Sequence, residues 1–97
     1  MKIVVSKEAI KWFKDEVELK DSDKVKFYAQ IYGNSPVQEN YALGFTIDNE
    51  PVDMFVKTEI EGLTFYVEET DLWFFNGHDL YVEYNEKKDE LEYNYVK

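Results

Sequence analysis

The sequence predicts a mainly β domain with one N-terminal helix, folded as a β-sandwich or partial barrel of short, mostly antiparallel strands. Three observations predict it. Apolar side chains alternate with polar ones in several separate runs, the period of a strand with one buried face. One early segment instead carries a helical stripe. Turn-forming clusters fall between the runs.

The elements follow in order. Ile3-Val4-Val5 reads as a short strand. Ser6 reads as a helix N-cap, because its hydroxyl can accept a free amide of the first turn. Glu8 lies in that turn, where the helix dipole favours an acid. Ala9, Ile10, Phe13 and Val17 share a helical spacing, with Trp12 flanking them, so the helix is expected from about Lys7 to Val17. After a turn at residues 20–23, Val25, Phe27, Ala29 and Ile31 alternate with polar residues. Gly33-Asn34-Ser35-Pro36 breaks that strand. Tyr41, Leu43, Phe45 and Ile47 form the next run, and Gly44 within it is read as a bulge, a close backbone approach or simply a small residue. Asp48-Asn49-Glu50-Pro51 is a turn, and residues 52–60 a weaker strand. Glu61-Gly62 turns the chain into Leu63, Phe65 and Val67. Residues 69–75 are expected as a short helix, with Leu72 and Phe75 on one packed face. Asn76-Gly77 is a tight turn. Leu80, Val82 and Tyr84, then Leu91, Tyr93 and Tyr95, complete the strands.

Composition narrows the function. The chain has 97 residues, 44% hydrophobic and 18% aromatic, enough for one core in a single domain over residues 1–97. Its formal charge of −10 disfavours nucleic acid and anionic membrane surfaces, since both present negative charge, and permits a basic partner. The absence of cysteine removes disulfides, thiolate ligands and thiol nucleophiles. No run approaches the ~20 apolar residues of a membrane span, and the first apolar run is too short for a signal peptide. A cytoplasmic location is therefore expected.

Several segments carry a family resemblance. Met1-Lys2-Ile3-Val4-Val5-Ser6-Lys7-Glu8-Ala9 is similar to a strand–Ser–x–x–Ala opening. Residues 25–45 resemble a long strand, a glycine-containing loop and a return strand. Glu61-Gly62-Leu63 opens an acidic–Gly–strand element, and Asn76-Gly77-His78-Asp79-Leu80 sits in an Asn-Gly–x–x–Leu element. Together they resemble the HesB/IscA-like family, the A-type iron–sulfur cluster biogenesis domain. The resemblance implies a HesB-like domain. It also implies three cysteine ligands, which this chain lacks: Asn34 stands where the first is expected, and Tyr95-Val96-Lys97 carries no Cys-Gly-Cys. Thiolates hold such clusters, so no iron–sulfur ligand and no cofactor is expected. The reading is a cysteine-less branch related to iron–sulfur assembly factors. It is expected to be non-catalytic and to act through a protein partner or a homodimer.

Candidate sites follow from residue chemistry and this resemblance. The loop Tyr32, Gly33, Asn34 and Ser35 is the expected ligand or partner site, with Tyr28 and Tyr41 supplying an amphipathic surface. His78, the one histidine, reads first as a structural or surface residue flanking the Asn76-Gly77 turn; the alternative is a metal ligand or base if carboxylates converge on it. The acidic sets Asp48, Glu50, Asp53 and Glu68, Glu69, Asp71 match no calcium-loop spacing and read most simply as solvated turns. Trp12, Trp73, Phe74 and Phe75 pack in the core or leave an exposed aromatic subset for a partner. Ser6, Ser22 and Ser35 form no nucleophile motif, so no catalytic residue is assigned.

Overall fold

The computed structural model describes residues 1–97. β1 (Ile3–Val5) leads into α1 (Lys7–Glu16), followed by β2 (Lys24–Ile31), β3 (Tyr41–Ile47), β4 (Met54–Ile60) and β5 (Leu63–Glu68). A single 3-10 helix spans Glu69–Phe75, and β6 (Asp79–Asn85) and β7 (Glu90–Val96) close the chain.

The local signals act as their chemistry requires. Ser6 is extended, and its Oγ accepts the Ala9 amide at 3.1 Å. The helix ends at Val17, where the next residue, Glu18, turns left-handed. Glu61 and Gly62 both take positive φ between β4 and β5, the geometry of a tight hairpin turn. Gly44 marks no bulge; its open face is filled by the Tyr28 and Gln30 side chains across the strand pair. The register shift lies instead between Met54 and Val56.

The expected sandwich or partial barrel does not form. The fold is mixed α/β with two separate sheets, one ordered β1-β6-β7 and one ordered β3-β2-β5-β4. Each sheet contains a parallel pair, β1 with β6 and β2 with β5, beside antiparallel neighbours. Alternation along a strand says which face is buried. It carries nothing about which distant strand pairs with it, and these parallel pairs join strands far apart in sequence.

One cluster of 16 buried side chains draws on α1 and both sheets, so neither sheet has a core of its own. Phe13 of α1 meets Phe45 and Phe65 edge-on at 5.2 Å each, and Phe27 of one sheet meets Tyr93 of the other at 5.9 Å. The short helix expected at residues 69–75 is present, but Leu72 is only half-buried; Phe74 and Phe75 go into the core. No helix is long and apolar enough to cross a membrane.

Candidate functional site

The inner face of the larger sheet runs past the end of the core. On β2 the residues Val25, Phe27, Ala29 and Ile31 face inward in turn. Val25 and Phe27 are buried, whereas Ile31 is 61% exposed. β5 accompanies β2 only over Lys24–Phe27. Beyond that, the Asp71 carboxylate accepts the Ala29 amide at 3.3 Å, so a side chain stands in for the missing strand. On the other side Ile31 pairs with Tyr41 of β3. Tyr41 in turn meets Trp73 edge-on at 5.0 Å. Trp73 is 48% exposed although its neighbours Phe74 and Phe75 are buried.

Tyr32 borders this patch through Ile31, with which it lines one cleft. It follows Ile31, is 97% exposed and has a φ of 71°. A left-handed backbone is unfavourable for a side chain with a Cβ. The other non-glycine residues with positive φ here are Glu18, Ser22, Asn40, Glu61, Asn76 and Asp89; Tyr32 is the only aromatic among them. The loop behind it is well tied. A Cβ on Gly33 would lie 2.5 Å from the Ala42 Cβ, so only glycine lets the loop lie this close to β3. Asn34 Oδ1 accepts the Asn40 amide at 3.0 Å, and Ser35 Oγ accepts the Gln38 amide at 3.0 Å. Gln38 Nε2 donates to the Trp73 carbonyl at 3.2 Å and binds the loop to the 3-10 helix. Ile31, Tyr32, Gly33, Asn34 and Asn40 line a shallow open cleft of about 520 Å³.

The structure thus brings Tyr32, Gly33, Asn34 and Ser35 together with Tyr41 and Trp73. Ile31 was not singled out by sequence, since it reads as one more inward strand residue; the signal is its position at the end of the run, where the Gly33–Pro36 loop begins. Tyr28 points to the other face, against Gly44. Trp12 packs on Phe13 and Phe45 and stays partly buried.

His78 meets no carboxylate. Its Nδ1 lies 2.9 Å from the Phe75 carbonyl and 3.1 Å from that of Asn76, so it donates there and serves the turn. Asp79 points elsewhere and accepts the Lys2 amide at 2.8 Å. The metal-binding alternative is therefore corrected: no group of three or more His, Asp or Glu side chains is placed to hold an ion, and the chain has no cysteine. Within the acidic sets, Asp48, Glu68 and Asp71 are engaged by backbone amides. Asp48 accepts the Glu50 amide at 3.0 Å and pairs with Lys26 at 3.3 Å, and both hold its carboxyl below the usual value. Glu68 is buried and accepts the Val52 and Asp53 amides at 3.0 and 2.5 Å. Every buried side-chain nitrogen and oxygen has a hydrogen-bond partner.

No family model matches the chain. A protein of Bacillus subtilis (strain 168) named pyruvate dehydrogenase inhibitor is 39% identical over 95 residues, covering 98% of this chain and 99% of its own length. An uncharacterized protein of Staphylococcus saprophyticus is 34% identical over 95 residues, covering 96% and 97% of the two chains. Another, from Staphylococcus haemolyticus, is 31% identical over 99 residues and covers both chains fully. These matches overturn the HesB/IscA assignment and the iron–sulfur reading built on it. The resemblance rested on short elements of strand, turn and small residue, which many β-rich chains share.

Proposed function

We infer the function from one premise: this chain belongs to the family of the Bacillus subtilis pyruvate dehydrogenase inhibitor and its staphylococcal relatives. The reading is that the chain is a non-catalytic protein that binds a pyruvate dehydrogenase and lowers its activity. The observation that carries it is the 39% identity along essentially the whole of both chains. Inhibition by a protein needs a surface rather than a reaction centre. The tied loop with Tyr32 and the exposed Trp73 supports that reading, since aromatic side chains dominate protein interfaces.

The test is direct. The pyruvate dehydrogenase of the organism that encodes this chain is purified and titrated with the purified chain while pyruvate oxidation is followed. The expected result is a saturable fall in rate at a stoichiometry set by the enzyme. An unchanged rate at large molar excess would falsify the reading.

A further inference from the structure

We propose that the patch Ile31, Tyr32, Tyr41 and Trp73 is the contact surface for that enzyme, and that the partner offers an apolar pocket ringed by lysine and arginine. This rests on the inhibitor reading above and names the surface and chemistry through which it works.

Two independent observations support it. The first is the cost of presenting Tyr32. A fully exposed aromatic held at positive φ returns nothing to the fold by burial, and its backbone conformation is unfavourable. Such a residue makes sense where a partner covers it. Its loop is already held by Gly33, Asn34 and Ser35, so little ordering remains to be done on binding.

The second is charge. The chain has no arginine, and residues 27–56 and 58–86, the two stretches that build the patch, contain no lysine. They place Glu39 between the loop residues bonded to Trp73 and Asn34, and Glu69 and Asp71 on the 3-10 helix. Lys26, earlier on β2, is tied to Asp48. Lys26 shares a cleft with Glu69 and Asp71, and Lys97 lies at the far end of the 3-10 helix beside Gly77, so the flanks of the apolar centre carry an excess of acids and the complementary surface is basic. Opposite charge across a rim acts mainly on the association rate. An anionic partner would meet repulsion from this rim.

The experiment measures binding to the immobilised pyruvate dehydrogenase of the same organism by interferometry. It uses the wild type, Tyr32→Ala, the double variant Glu39→Lys with Glu69→Lys, and Phe55→Ala, an exposed apolar residue on the far edge strand β4. All three variants change exposed side chains, so circular dichroism should match the wild type. Tyr32→Ala should weaken binding about tenfold or more. The double reversal should slow association about tenfold and remove most of its salt dependence, and Phe55→Ala should bind normally. Wild-type binding that neither patch variant alters by more than twofold would overturn the surface assignment while leaving the inhibitor reading intact. A wild type that does not bind at all would overturn both. A dimer in light scattering that Tyr32→Ala converts to monomer, with enzyme binding unchanged, would give the patch to a second copy of the chain and overturn the proposal.

Discussion

Tyr66 shows how a single residue couples packing to protonation. It lies buried on β5, and its hydroxyl donates to the Asp48 carbonyl at 2.9 Å. Burial, then the charges of Asp48 and Glu68, push its pKa up to about 12 from 10.0. A raised phenol holds its proton in the folded state, so its contribution is complete below pH 10 and lost as pH rises through about 12. Tyr66→Phe should cost about 1 kcal/mol at neutral pH, and its urea midpoint should fall less steeply in alkali than that of the wild type. Asp48 behaves in the opposite sense. Its pKa is lowered by the Glu50 amide and Lys26, so its contribution is present above the ordinary value of 3.8 and lost as pH falls through the lowered one. Asp48→Asn should flatten the loss of stability in acid. Equal acid profiles for variant and wild type would count against this account. At this scale the sequence announced the Ser6 cap and both tight turns, because those roles follow from side-chain chemistry. It did not announce that His78 serves two carbonyls, since one isolated histidine looks the same whether it supports a turn or a metal.

Elements are joined here by side chains placed where a strand is missing. Asp71 closes the open side of β2 at Ala29, and Glu68 reaches from the end of β5 to hold residues 52 and 53. Glu68→Ala should raise hydrogen exchange at Val52 and Asp53 with little change at Phe65 and Val67; uniform protection in both would refute the tether. Tyr32→Gly tests the strained loop. Relief of the left-handed conformation and the added chain freedom of glycine work against each other, so stability should stay within about 1 kcal/mol of wild type or rise. Gly33→Ala should instead cost about 1–3 kcal/mol by pressing a methyl against Ala42. Urea melts of the pair distinguish the two loop positions. The candidate loop was legible because Gly33 to Pro36 interrupts two clear alternating runs. Its partner Trp73 was legible only as one of four bulky residues. The half-burial of Leu72 was missed because a spacing of three aligns it with Phe75 without saying how much of the helix the core covers.

Across the whole molecule, α1 is the piece both sheets share. Phe13 packs between Phe45 and Phe65, and Ile10 joins the same cluster as Leu80 and Val82. Phe13→Ala should therefore cost about 3–5 kcal/mol, read as a lower urea midpoint; a loss under 1 kcal/mol would show that the helix is not central. The strand count and the helix were legible in periodicity. The division into two sheets was not, because it depends on pairings between residues that no local pattern links. The pairing of Ile3–Val5 with Leu80–Val82 has a consequence for synthesis. The strand emerges from the ribosome long before β6, its one neighbour in the sheet. Until then the strand and the apolar stripe of α1 have no complete docking site. Such long-range closure is slow and leaves sticky surface uncovered while it waits. A nascent chain stalled before residue 80 should accordingly depend on chaperones, and the emergence of β6 should act as the latch that sets the fold.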